Sequence, residues 1–344
     1  ITNNGSTAST DSPFDDPAGY VFGDAKESVI KCGSYVGNTT NLPEINLGFE
    51  PQWFLTKKIN GSADWILLDS MRGLPTGGTD PVLSPNSSGA EGTGGGDLVD
   101  VSATGIKLKT AYDTVNGHGD TYAYIAIRRP DGYVQKPQLA TDVFTTAASN
   151  SGSKPGFTSG FPVDFYLYRK PTAGSGWQAD WGTYARLIAK NKLWTNKTDA
   201  QGTDNSATFA FNNGVQDYDG FDTSYQAWMW KRHAGFDVVT FDGTGANLTV
   251  PHSLNAVPEF MWIKAKSYGG EWKVYHKDRG PTNISRLHLS NAEETNQDIL
   301  QSTNPTKTHF FTSSSLSLSS QSYIAMLFAS VDGISKVGSY TGNG

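Results

Sequence analysis

Lys31-Cys-Gly-Ser-Tyr-Val-Gly-Asn38 returns almost unchanged as Lys336-Val-Gly-Ser-Tyr-Thr-Gly-Asn343. The offset of 305 residues is three times roughly 102, so two further copies belong between them. Pro51 leads Trp53-Phe-Leu-Thr-Lys57, Pro162 leads Phe165-Tyr-Leu-Tyr-Arg169, and Pro258 leads Phe260-Met-Trp-Ile-Lys264. Eight residues after each basic residue stands a tryptophan: Trp65, Trp177, Trp272. Next come Leu83-Ser-Pro-Asn86, Leu193-Trp-Thr-Asn196 and His288-Leu-Ser-Asn291. Each copy closes on a tyrosine ten residues before a glycine: Tyr122 and Gly132, Tyr225 and Gly235, Tyr323 and Gly333.

These landmarks divide the chain into an entry segment (1–28), three repeats (29–132, 141–235, 236–333) with a linker at 133–140, and the start of a fourth repeat (334–344). A solenoid repeat runs only about 20–50 residues, so a period near ~100 implies independently folding domains in tandem. The chain starts at Ile1 without Met and stops as a repeat begins. The expectation is an ordered piece of a longer polypeptide.

Within a repeat the elements read as strands. Tyr122-Ala-Tyr-Ile-Ala-Ile127 is apolar on both alternating faces, and Tyr225-Gln-Ala-Trp-Met-Trp230 and Tyr323-Ile-Ala-Met-Leu-Phe328 repeat it. Such strands lie in the middle of a sheet covered on both sides. Turn clusters such as Pro75–Asp80, Gly92–Asp97 and Asp242–Gly245 separate them. The expected fold is therefore all-β: at least three tandem antiparallel β-sandwiches, jelly-roll-like. One short helix is expected, over Thr183–Lys190. A ring held at one position in every repeat reads first as a core anchor and second as a sugar platform, so Trp65, Trp177 and Trp272 are assigned to the core. Lys57, Arg169 and Lys264 end their strands and read as solvated charges on buried stems.

Composition narrows the function. The 17 Phe, 15 Tyr and 9 Trp exclude a disordered chain. No apolar run approaches the ~18 residues of a membrane helix. A single cysteine, Cys32, leaves no disulfide framework. A net charge of −6 without a basic run argues against nucleic acid. No nucleophile–base set, metal-ligand spacing or clustered acid pair of the kind a glycosidase needs is legible, which counts against a polysaccharide depolymerase. Glu91, Asp199 and Glu293 follow the shared Asn in all three repeats and read as turn or cap residues. No cofactor is expected; Asp97–Asp100 and Asp217-Tyr-Asp219 are acidic enough for Ca²⁺ but match no calcium-loop spacing. Trp181 and Trp194 have no aromatic counterpart in the other repeats under this alignment. They are the candidate contacts for a glycan or a partner chain, against the alternative that each fills a pocket special to the second repeat.

Gly33-Ser-Tyr-Val-Gly-Asn38, Ile45-Asn-Leu-Gly-Phe-Glu-Pro51, Asp69-Ser-Met-Arg-Gly73, Ala90-Glu91 and Tyr122-Ala-Tyr-Ile-Ala-Ile-Arg-Arg129 carry a family resemblance, as do Tyr275-His-Lys-Asp-Arg-Gly280 and Asn291-Ala-Glu293. Over about residues 17–344 the chain resembles the repeated domain of long virion proteins of marine, notably cyanobacterial, bacteriophages. The second repeat departs from the pattern, with Tyr184-Ala-Arg186 where Arg-Gly stands elsewhere. The resemblance implies a non-enzymatic tail-fibre or appendage protein, in the virion and extracellular. Its implied partners are further copies of itself in a homotrimer, other virion proteins and a host surface glycan, without membrane insertion. The ring load of the second repeat (Trp177, Trp181, Trp194, Trp228, Trp230) also suggests self-association. A secreted bacterial surface adhesin or filament subunit with carbohydrate-binding modules is the alternative reading.

Overall fold

Three antiparallel sheets share one strand order in the computed structural model, which describes residues 29–92, 95–130, 137, 139–216 and 221–343. The entry segment and most of the linker lie outside the described residues. The chain forms two compact units, Ile1–Gln135 and Lys136–Gly344.

Each sheet begins with an opening strand at one edge: Ile30–Val36, Phe144–Ala148 or Phe236–Asp242. Beside it runs the closing strand, Thr121–Arg128, Gln226–Trp230 or Ser322–Phe328. Then come the lead strand (Pro51–Lys58, Phe165–Arg169, Phe260–Ala265) and a flanking strand (Ile66–Asp69, Gly182–Ala185, Lys273–His276). The register is also shared. Ile30, Phe144 and Phe236 stand opposite Ile127, Trp230 and Phe328, which stand opposite Trp53, Phe165 and Phe260. A smaller sheet completes each sandwich: Glu44–Asn46, Val99–Ser102 and Gly105–Leu108 in the first, Phe157–Thr158 with Gly214–Val215 in the second, Leu248–Pro251 with His309–Thr312 in the third. The fold is thus an all-β set of antiparallel sandwiches.

The residues that fill the sandwiches alternate along the closing strand, because successive strand side chains point to opposite faces. Tyr122, Tyr225 and Tyr323 are all buried on the inner face. Each stacks on a ring: Tyr35 at 5.0 Å, Phe221 at 4.0 Å and Phe241 at 5.2 Å between centroids. In two repeats the phenol also ties the preceding turn, accepting from the backbone N–H five residues upstream, Gly117 (2.8 Å) and Leu318 (3.0 Å). The Gly-Ser-Tyr-x-Gly-Asn motif belongs to the same construction. A Cβ on Gly37 would sit 2.2 Å from the Gly117 carbonyl oxygen, so only glycine lets the opening strand leave the sheet at that point.

An acidic residue ahead of each lead strand fastens the chain just beyond the closing strand. Glu50 pairs with Arg129 (3.4 Å), Asp164 Oδ2 accepts the Arg232 N–H (2.7 Å), and Glu259 Oε2 accepts the Ser330 N–H (2.9 Å). Asp164 also takes Arg186 Nε at 3.2 Å, and Arg232 Nη1 donates to Val238 O at 3.0 Å. Removing one partner from such a buried set leaves an uncompensated charge, so the set is structurally demanding.

Two expectations need correction. Over Thr183–Lys190 the chain is not helical: Gly182–Ala185 is the flanking strand and Arg186–Ile188 a single 3-10 turn. The strand wins because Tyr184 is stacked on Tyr166 at 5.0 Å within the core, a contact that sheet registry supplies. The second correction concerns tryptophan. Trp65, Trp181 and Trp272 are the residues that directly precede the three flanking strands. Asn86 Oδ1 accepts from Trp65 N (2.9 Å) while Asn86 Nδ2 donates to Asp64 (2.8 Å). Asn196 does the same with Trp181 N (3.0 Å) and Asp180 (3.0 Å). Trp181, not Trp177, therefore holds the repeated position, and Trp177 belongs to a 3-10 turn in a longer loop.

Candidate interaction surface

The repeated tryptophan does not point into its own sandwich. Side chains on the outer face of each main sheet follow from the register. In the first they are Trp65, Leu67, Trp53, Leu55, Ile125, Ile127, Ile30 and Cys32. The matching rows are Trp181, Thr183, Phe165, Leu167, Trp228, Trp230, Phe144 and Thr146 in the second. In the third they are Trp272, Val274, Phe260, Trp262, Met326, Phe328, Phe236 and Val238. This second apolar face is why the closing strands read as apolar on both sides.

Within the second unit the two outer faces meet. Phe165 lies 5.7 Å from Phe236 and 6.5 Å from Trp262 between centroids, and Trp230 lies 6.0 Å from Phe236. Ile324 and Met326, on the face turned away from the third sandwich's own core, are fully buried. Trp272 is fully buried as well, and its Nε1 donates to Trp194 O at 2.8 Å. Lys264 Nζ donates to Thr198 O (3.2 Å) and Ala265 O (2.8 Å). Backbone bonds from Gly270 N to Thr198 O and from Gln201 N to Lys266 O, both 2.8 Å, close the seam. Lys264 is thus buried rather than solvated. Burial lowers its pKa to about 8, against a raising influence from nearby Asp199.

Trp181 and Trp194 are brought to this region but do different things. Trp181 packs on Trp228 at 5.2 Å and under Arg169 at 5.4 Å, a contact inside its own sheet face. Trp194 contributes its carbonyl to Trp272, while its half-buried ring is flanked by Lys192 (5.8 Å) and Lys197 (5.5 Å). Trp181 is not peculiar to the second repeat, since Trp65 and Trp272 are its counterparts. Trp177 is the ring peculiar to the second repeat; it is 56% exposed and stacked beside Tyr225 at 6.4 Å. Part of the ring load of that repeat is consumed inside the chain, since Trp230 packs on Phe236 of the next sandwich.

Two of the acidic residues after the shared Asn, Glu91 and Glu293, serve local pairs. Arg72, from the Arg-Gly turn, binds Asp69 (2.6 Å) and Glu91 (3.2 Å); Arg279 binds Glu293 (2.5 Å). A groove of about 500 Å³ lies beside the second of these, lined by Phe260, His276, Arg279, Arg286, Glu293 and Ser339. Its cations are already engaged, Arg286 with Glu271 (2.7 Å) and Glu294. In the Asp97–Asp100 segment Asp100 pairs with Lys109 (2.8 Å), and the N–H groups of Leu98 and Val99 bind the buried Asp80 carboxylate. Burial raises the pKa of Asp80 to about 7, opposed by those two N–H donors. Among the described residues no group of three or more His, Cys, Asp or Glu side chains is placed to hold a metal ion. Asp217–Asp219 lies outside the described residues. No helix among the described residues is long and apolar enough to cross a membrane.

These features define a class, tandem antiparallel β-sandwiches whose sheets carry a second apolar face. A family model described as a domain of unknown function (DUF7483) matches residues 2–129 and 186–344. The chain belongs to that family. The unmatched stretch contains the opening and lead strands of the second sheet and the loop that carries Trp177. A search of the curated proteins finds no match.

Proposed function

We propose that the chain is a non-enzymatic segment of an extracellular appendage, a phage fibre whose work is architectural and adhesive. The observation that carries this reading is the face-to-face joining of successive sandwiches, with buried Trp272, Lys264 and Arg232 spanning the seam. Such a seam turns neighbouring domains into a continuous element, as a load-bearing filament requires. The perturbed groups also serve the fold: the Asp80 carboxylate binds backbone N–H groups and the Lys264 ammonium binds backbone carbonyls. Trp177 supplies an exposed flat ring on which a host sugar can stack. Other virion proteins and further copies of the chain are its partners in this reading. The test is an antibody raised against the chain and applied to intact marine phage particles. Gold label on appendages, with blocked adsorption to host cells, is the expected result. Label confined to bacterial cell surfaces would overturn it in favour of a secreted adhesin with carbohydrate-binding modules, the reading that an exposed Trp177 serves equally well. Cleavage of host polysaccharide by the purified chain, lost on a single carboxylate substitution, would refute the non-enzymatic part.

A further inference from the structure

Three equivalent sheet faces carry apolar rows, and two of them cover each other inside the second unit. The same tryptophan position reports the difference: Trp272 is fully buried, whereas Trp65 is 39% exposed. On the same face the first sheet leaves Ile125 at 38%, Val36 at 59% and Cys32 exposed, at the positions that Met326, Asp242 and Val238 occupy in the third. A contiguous apolar sheet face of this kind marks an interaction site rather than ordinary surface.

We propose that this face of the first sheet binds the same face of a second copy of the chain, forming a two-fold dimer. The chain itself indicates the occupant. Where it pairs such faces, it pairs like with like, ring row against ring row, Phe165 and Trp230 on Phe236. A second copy presents the matching row, Ile30, Ile127 and Trp53, with no new element needed, and one two-fold contact satisfies both copies because the surface is self-complementary. The area sets the strength. Four strands at ~4.8 Å spacing and about seven residues at ~3.4 Å give roughly 450 Å² per copy and ~900 Å² in all. That lies below the standard interface, so the dimer is a weak one, with a Kd on the order of 10 µM. The inference rests on sheet geometry and is independent of the appendage reading.

Cys32, the chain's one cysteine, sits in the proposed interface and supplies the probe. Maleimide labelling of the unaltered full chain should slow about five-fold between ~1 and ~200 µM protein, in line with that Kd. Sedimentation velocity over the same range should pass from monomer to dimer. Ile125→Glu should hold the chain monomeric and make labelling independent of concentration; Val36→Lys, at a more exposed site on the same face, should act likewise if the first variant folds poorly. Trp177→Ala, in the second unit, should leave the dimer unchanged. A monomer throughout, a trimer without a dimer, or a dimer indifferent to Ile125→Glu and Val36→Lys in which Cys32 labels at full rate would overturn the proposal.

Discussion

Replacing Trp272 by Ala and Trp65 by Ala changes one repeated position in two different surroundings. A tryptophan side chain buries roughly 200 Å², which at about 25 cal/mol per Å² is ~5 kcal/mol. Partial burial in the unfolded chain lowers this to ~3–4 kcal/mol, and a closed cavity keeps the Trp272 substitution in the ~3–5 kcal/mol range. The loss of the Nε1 bond leaves the Trp194 carbonyl oxygen short of its partner, adding about 1 kcal/mol. Trp65 is 39% exposed, so less area is at stake and no closed cavity forms; about 1–2 kcal/mol is expected. Urea denaturation of the full chain below ~1 µM, followed by circular dichroism and tryptophan fluorescence, separates the two cases. With a slope of ~2–3 kcal/mol per M, Trp272→Ala should lower the transition of the second unit by about 1.5–2 M. Trp65→Ala should move only the first unit's transition, by less than ~1 M. Equal shifts, or a silent Trp272→Ala, would refute the argument that one position is covered and the other open.

Three further outcomes follow from buried groups. The folded Asp80 carboxyl holds its proton up to about pH 7 while the unfolded one releases it near the ordinary 3.8, so first-unit stability should fall as pH rises through that window and level off above it. Asp80→Asn should flatten the profile in thermal melts. Lys264 behaves in the opposite sense: the folded amine loses its proton at about pH 8 and the unfolded one near 10.5, so second-unit stability should rise between those values, by no more than ~3 kcal/mol, and Lys264→Met should abolish the rise in urea titrations. Gly37→Ala forces a Cβ against the Gly117 carbonyl, and should cost the first unit about 1–3 kcal/mol by the same denaturation assay.

The antiparallel all-β class was legible in the sequence because the landmarks sit where hydrogen-bond register fixes spacing: the lead strand, the closing tyrosine and the shared Asn. The tryptophan alignment failed in the second repeat for the converse reason. The loop after Arg169 is four residues longer than that after Lys57, so the eight-residue spacing selected Trp177 and missed Trp181. Loop length is not constrained by the sheet; the Asn196 bond to the Trp181 N–H is. Nor does periodicity tell which face of a doubly apolar strand fills the sandwich and which meets a neighbour. For that reason the reading of Trp65 and Trp177 as core anchors and of Lys264 as a solvated charge does not hold, whereas Trp272 is buried, against the neighbouring sandwich. Glu50, Asp164 and Glu259 each stand directly before the lead strand, but the proline landmark hides the repeat: the acid precedes Pro51 and follows Pro162 and Pro258.

Only Lys231–Ala234 and Gly235 separate the closing strand at Trp230 from the opening strand at Phe236, and buried Arg232 pins that crossing to Asp164 and Val238. Under tension the crossing has no slack to give. A pull along the chain reaches both sheets at once and must break their common seam before either can unravel. The stretch from Phe144 to Phe328 should therefore lengthen in one event of roughly 650 Å, at about 3.5 Å per residue, and not in two of half that size. Two sandwiches joined this way resist force as one unit and yield in a single large step.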